Sequence, residues 1–333
     1  MRLNSVQAHL LTTVVLGLLP GCVLAGQATA HTRGDETVGP HADCSRMVRL
    51  WVLAARKDHH IVQGLKPQDF RIYQDKVQQP ITYFEPRTTE PIRLGILIDV
   101  SRGRLDEPEQ VDWRPISRVL RRLLGPNDRA FVAEFGAETS LVCPWTSDFS
   151  VLDEALQRVF DSPQTGGAAL YDSLFTLFEE RFSGETGRKA LVILCGTPDD
   201  SSSHTEEEAL ELVDGTDTIV FPILPWVNAG TTIFRNVRFA QVFSAETGGV
   251  LSVYTKPKEF EDNLEGVGIA LTHLYAIGYE PSQDPHDGRF HRIRVKCLRP
   301  GVRIFAREGY YAPSRDTAQQ KSAREKREKH PTH

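Results

Sequence analysis

Asp99 stands at the end of an apolar run, Leu94 to Ile98, and Ser101 follows two residues later. A carboxylate at a strand end has two uses. It can cap the loop that follows by accepting backbone N–H groups, or it can offer a hard oxygen to a cation. Two further carboxylates, Asp199 and Asp200, lie just past another apolar run, Ala190 to Leu194. The remaining polar constellations read as structural. Glu206-Glu207-Glu208 follows Ser203 and Thr205, as in the first turn of an N-capped helix. His59-His60 falls in an expected turn, while His204, His286 and His291 are scattered, with no HExxH spacing and no evident third ligand. The chain has no GxSxG elbow, P-loop or GxGxxG. No catalytic residue is assigned, and the chain is not expected to be an enzyme.

The elements that must position Asp99 and its neighbours alternate between strand and helix over residues 88–274. Leu94-Gly95-Ile96-Leu97-Ile98 and Ala190-Leu191-Val192-Ile193-Leu194 are unbroken apolar runs, the signature of parallel strands buried on both faces. Ala130 to Ala133, Ser140 to Cys143, Thr218 to Phe221 and Val250 to Val253 supply the other strands. Helical spacing appears in Ile116, Val119, Leu120, Leu123 and Leu124, closed by Gly125-Pro126, and again near 149–160, 170–182 and 257–274. This predicts an α/β fold with a doubly wound, mostly parallel sheet. Segments 46–87 and 275–313 read as short strands instead. Val48, Leu50, Val52 and Ala54 alternate with Arg49, Trp51 and Leu53, and Gln74-Asp75-Lys76 turns the chain toward Ile81 to Phe84. Ile293, Val295 and Cys297 alternate with Arg292, Arg294 and Lys296, before a turn at Arg299-Pro300-Gly301. Neither segment can bury a core alone, so the two are expected to pack together as one small β unit.

Charge and targeting bound the location. The net charge of -5 gives no electrostatic case for nucleic acid. Residues 1–30 read as a signal peptide: Arg2 is the positive n-region, and Leu10 to Leu19 is an apolar run too short to span a bilayer. Cleavage after Val23-Leu24-Ala25 or Ala28-Thr29-Ala30 fits ordinary signal peptidase, whereas Leu19-Pro20-Gly21-Cys22 resembles a lipobox with Pro out of place. Membrane contact is expected only through a lipid anchor at Cys22. The destination is the periplasm, the medium or the outer membrane. Residues 31–45 read as a linker, whose Arg33-Gly34-Asp35 is a tripeptide common by chance. The tail 314–333, with six Lys/Arg against three Asp/Glu from Arg315 onward, reads as disordered. Cys44, Cys143, Cys195 and Cys297 are too widely spaced for a CxxC ribbon, and the last three sit in strand-like runs where buried free thiols are common.

The pieces GLKPQDFRIYQD, LGILIDVSRG, GPNDRAFVAEFG, TGGAALYDSL, ALVIL, SAETGG, LYAIGYEP and RPGVRIFAREGYYAP occur in that order across residues 46–313. In sequence and spacing the chain resembles the VWFA-related domain proteins of the acidobacterial type. The resemblance implies a von Willebrand factor A-like domain, an extracytoplasmic location and a protein partner. It also implies a metal-ion-dependent adhesion site: a DxSxS loop, a Thr on a second loop and an Asp on a third. In this chain Asp99 and Ser101 match the first loop, but Gly103, Ala168 and Gly196 stand at the other three positions. Three of five donors therefore lack a side-chain oxygen. One carboxylate and one hydroxyl make a poor cage for Mg²⁺, so no cofactor is expected and Asp99 and Ser101 read as vestigial ligands. Arg102 offers Asp99 a counter-charge without metal. Asp99, Ser101, Arg102 and Thr197 are the expected binding residues.

Three functions follow: a metal-independent interaction or scaffold module, a metal-dependent adhesin whose Mg²⁺ site is rebuilt with Asp199 or Asp200, and an enzyme with an unrecognised site. The first is the reading adopted from sequence. The signal-peptide assignment makes its own prediction. A reporter fused behind residues 1–30 is exported; a fusion retained in the cytoplasm contradicts it.

Overall fold

The computed structural model describes residues 47–58, 60–101, 112–162, 166–226, 231–282 and 286–312, with side chains 231–236 left out. The signal peptide, the linker, Cys22, Cys44, Arg102, Gly103 and the tail lie outside the described residues.

The central domain is a six-stranded sheet flanked by helices. Its strands are β5 (Ile92–Asp99), β6 (Arg129–Phe135), β7 (Thr139–Thr146), β8 (Arg188–Leu194), β9 (Ile219–Pro225) and β10 (Ser252–Tyr254). Their spatial order is β10-β9-β8-β5-β6-β7. All neighbours are parallel except β6 and β7, so β7 is an antiparallel edge strand. β5 and β8 lie side by side and their chains continue in opposite directions, which makes the gap above them the switch point of the sheet. The runs that read as two-sided strands are buried on both faces: Leu97, Ala133 and Leu191 face one core, while Ile96, Val132 and Val192 face the other. Helices α1 (Arg114–Leu123), α2 (Phe149–Asp161) and α6 (Pro257–Thr272) supply Leu120, Leu156 and Leu271 to the second core. Helices α3 (Leu170–Leu177), α4 (Glu206–Asp214) and α5 (Thr231–Thr247) supply Leu174, Val213 and Phe243 to the first.

The flanking segments form a β sandwich. One sheet has the order β13-β1-β11-β4 and the other β14-β12-β2-β3. β1 (Val48–Arg56), β2 (Phe70–Gln74), β3 (Val77–Gln79) and β4 (Tyr83–Glu85) come from the N-terminal segment. β11 (Tyr275–Tyr279), β12 (Phe290–Cys297), β13 (Val302–Phe305) and β14 (Gly309–Tyr311) come from the C-terminal one. Each sheet mixes strands from both segments, so neither half closes without the other. Leu50, Val52, Ile72, Ile277 and Ile293 fill the layer between the sheets. β1 is buried on its other face as well, where Trp51 and Leu53 join the core of the central domain. Its alternation therefore serves two cores. The expected reversal at 74–76 differs in its target. Asp75 and Lys76 both have positive φ, as a two-residue primed hairpin turn requires, and they return the chain into β3, which pairs with β2. β4 instead joins the opposite sheet through β11.

Gly248 shows how closely the two units approach. Its φ is +80, and a Cβ there would lie 2.7 Å from the Ala306 backbone. The next contact is a hydrogen bond from Glu308 N to Glu246 O, 3.0 Å. A side chain at 248 must push the β13–β14 connection off the end of α5.

His291, 3% exposed, pins the sandwich from inside. Its Nδ1 lies 2.7 Å from Asp75 Oδ2 and its Nε2 3.1 Å from Asp287 Oδ1. Both nitrogens face carboxylates, an arrangement that suits the imidazolium. Burial opposes that charge, but the hydrogen bonds and charges of Asp75 and Asp287 outweigh burial and hold the pKa above its usual 6.5. A raised histidine pKa gives stability that is complete below the unfolded value and is lost as pH rises through the folded one.

Two predictions follow from this packing. Gly248→Ala lowers the unfolding free energy by about 2 kcal/mol or more, from backbone strain and overpacking; denaturant melts with a change under about 0.5 kcal/mol would contradict the close docking. The stability advantage of the protein over His291→Gln is greatest below pH 6.5 and shrinks above it. A gap that does not vary with pH rules out the charged pin.

Candidate functional site

Asp99 ends β5 at the switch point and is 2% exposed; Ser101 is fully buried. The carboxylate has three backbone donors. Its Oδ1 accepts Ser101 N at 2.9 Å, and its Oδ2 accepts Gly196 N at 3.1 Å and Thr197 N at 3.0 Å. Ser101 Oγ then donates to Thr197 Oγ1 at 2.8 Å. The loop after β5 is thus stitched to the loop after β8, across the crevice where open α/β sheets place their ligands. Asp99, Ser101 and Thr197, three of the residues singled out from sequence, lie together here. They are joined to each other. Cys195 packs beneath them, its thiol donating to Thr197 O at 3.1 Å; burial and then the Asp99 charge push its pKa well up, so it stays a neutral thiol.

Asp199 and Asp200 point elsewhere. Helix α3 begins after Ala169, which has no side-chain cap, so its first amides need outside acceptors. Asp199 Oδ2 accepts Tyr171 N at 2.9 Å, Ser202 Oγ accepts Asp172 N at 3.0 Å, and Asp200 Oδ1 accepts Ala168 N at 2.8 Å. The Ala168 hydrogen bond, foremost, holds the Asp200 carboxyl below the usual range. Gly167 allows the approach, since a Cβ there would sit 1.9 Å from Ser201 Oγ.

Asp172 answers in the other direction. Its carboxylate accepts Ser203 N and His204 N, each at 2.9 Å, and lies 2.6 Å from His204 Nδ1. Burial works against its ionisation, but these contacts prevail and lower its pKa. The His204 ring stacks on Phe175 at 3.7 Å between centroids. Thr205 and Glu208 close the run with a capping box on α4. Sequence reasoning missed this Asp172–His204 lacing. Its signal was the Ser201-Ser202-Ser203 run, a supply of short side chains and free amides beside a helix start.

The metal implied by the family resemblance can be tested against these donors. Ala168 and Gly196 offer no side-chain oxygen. Asp99 already accepts three N–H groups, and the Ser101 hydroxyl is directed at Thr197. Among the described residues, no group of three or more His, Cys, Asp or Glu is placed to hold a metal ion. The residues present do not fit an octahedral Mg²⁺. Cys143, Cys195 and Cys297 are free thiols.

The strand order and the helices on both faces make a doubly wound α/β sheet with Asp99 at its switch point, here framed by a β sandwich. No family model matches the chain, and no curated protein does. Solved structures do. A von Willebrand factor type A protein from Catenulispora acidiphila is 11% identical with TM-score 0.46, over 83% of this chain and 76% of that one. The conserved hypothetical protein BatB from Bacteroides thetaiotaomicron is 16% identical with TM-score 0.43, over 54% of this chain and 98% of its own. Proximal thread matrix protein 1 from the mussel byssus, with a zinc-occupied MIDAS motif, is 12% identical with TM-score 0.47, over 60% and 49%. At this distance the likenesses carry no argument about site or partner.

Removing the Asp99 carboxylate orphans three backbone amides, that of Ser101 buried and those of Gly196 and Thr197 part-buried. Asp99→Ala therefore costs about 3 kcal/mol of stability, read from urea melts. A variant as stable as the protein contradicts the structural role.

Proposed function

We propose that this chain is an exported, non-enzymatic interaction or scaffold module that works without a metal ion. The observation that carries the reading is the Asp99 clamp, which occupies the switch point with the chain's own amides. A site that must open for a cation and a partner carboxylate would have to break three hydrogen bonds and supply donors that Ala168 and Gly196 lack. Export is supported by the composition of residues 1–30, and among the described residues no helix is long and apolar enough to cross a membrane. Cys22 is the residue through which a lipid anchor would hold the chain to a membrane. The partner is a protein.

Thermal melts with millimolar Mg²⁺ or Mn²⁺ test the metal-independent reading. A ligand at tenfold its Kd adds about 1.4 kcal/mol to the native state, a shift of a few degrees for a domain of this size. We expect no shift. Installing Gly103→Ser, Ala168→Thr and Gly196→Asp together creates a magnesium-dependent shift, at the cost of a less stable metal-free protein, because the new carboxylate faces Asp99. A shift in the unmodified protein overturns the reading.

A further inference from the structure

The chain carries a net charge of -5, yet from Gly288 to Arg307 it contains seven Lys/Arg and no Asp/Glu. The β14-β12-β2-β3 sheet turns much of that charge outward. Ile293 faces the sandwich core, so Arg292, Arg294 and Lys296 occupy the opposite face of β12 and are exposed. On the adjacent strand Arg71 lies directly opposite Lys296, and Tyr73 opposite Arg294. Like charges opposed across a ladder destabilise it. The nearby carboxylates do not relieve them: Asp69 is paired with Arg299, and Asp75 and Asp287 with His291. Among the described residues Arg294 and Lys296 have no ion pair. Lys296 instead lies over the Tyr73 ring at 5.2 Å.

A second observation falls on the same sheet. Among the described residues, the exposed large hydrophobic ones are Val77, Val151, Leu298 and Tyr311. Two of these lie on the side of the cations: Tyr311 on β14, opposite Phe290, and Leu298 just past β12, both in step with Arg292, Arg294 and Lys296. A cationic centre edged by apolar side chains is a surface arranged for a partner.

We propose that the outer face of the β14-β12-β2-β3 sheet docks an extended acidic polypeptide of a partner protein, with Arg294, Lys296 and Arg71 receiving its carboxylates. Arg294 and Lys296 are two residues apart on a strand, about 7 Å along its axis. That is also the repeat of same-side residues in an extended peptide, so carboxylates at alternate positions meet successive cations. The Arg294 guanidinium takes a carboxylate in bidentate fashion. Tyr73 and Gln78, opposite one another on β2 and β3, continue the face with groups that hydrogen-bond an extended backbone. The proposal rests on the reading of the chain as a protein-interaction module but uses a different surface from the Asp99 clamp. Metal-dependent melts test that reading, and peptide binding tests this one.

The test uses the full mature chain and a fluorescein-labelled peptide of alternating glutamate and threonine, with the glutamine version as control. Polarisation titrations at low salt are expected to show binding that the glutamine control lacks. Arg294→Gln with Lys296→Gln weakens it about tenfold or more. Arg118→Gln with Arg122→Gln, which removes cations already paired with Glu261 and Glu265 on the central domain, changes it by less than about twofold. Lys296→Glu guards against a folding artefact. It replaces repulsion from Arg71 with attraction, so it keeps or raises the melting midpoint while it weakens the peptide. Absence of peptide binding overturns the proposal, as do equal losses in the two double variants. Phosphatidylglycerol vesicles that displace the peptide, and whose binding needs the same two cations, also overturn it in favour of a lipid surface.

Discussion

The constraint on which the site depends is the buried Asp99 carboxylate. A carboxylate at 2% exposure is costly unless every lone-pair direction is met. Here the donors come from its own loop and from the loop after β8. Satisfying Asp99 therefore fixes the distance between the two loops, and that distance is the width of the switch-point crevice. The second loop is drawn in by the same logic. Helix α3 starts without a cap of its own, so Asp199 and Ser202 accept its first amides, while Asp200 accepts Ala168 N just before it. Three loops that could converge on a ligand converge on one another.

This closed end faces away from the end where the domain is held. Trp51 and Leu53 cross from the sandwich into the central core, Tyr275 follows directly from the end of α6, and Gly248 lets the β13–β14 connection lie against the end of α5. The sandwich is made of both chain ends, so opening it and releasing the central domain are one event. The design suits a rigid support more than a device that changes shape when a ligand binds. It also leaves the outer sheet exposed, where Arg294 and Lys296 have no ion pair among the described residues.

Much of the fold was legible because burial writes itself into sequence. Leu94 to Ile98 and Ala190 to Leu194 are apolar throughout because both faces are covered, and their order with the intervening helices gives the doubly wound sheet. The pairing of the two flanking segments followed from the poverty of each alone. β3 was not legible: its turn uses Asp75 and Lys76 at positive φ, without the Asn-Gly that usually marks a primed hairpin. Helix α5 also went unread. The site was half legible. The sequence singled out Asp99 and Ser101, but not where their side chains point. Asp199 is directed by the uncapped start of α3 and Asp200 by the Ala168 amide before it, and Arg102, offered by sequence as a counter-charge, lies outside the described residues. Among the described residues, what Asp99 meets is the backbone, which a sequence motif does not display.

Amide hydrogen exchange at Ser101, Gly196 and Thr197 tests the central claim most directly, because those N–H groups are the clamp itself. Strong protection is expected at all three, unchanged by millimolar Mg²⁺ or Mn²⁺ and lost together in Asp99→Ala. Rapid exchange at Gly196 and Thr197 in the metal-free protein, slowed when the cation is added, would mean that Asp99 serves a metal and that the switch point is open.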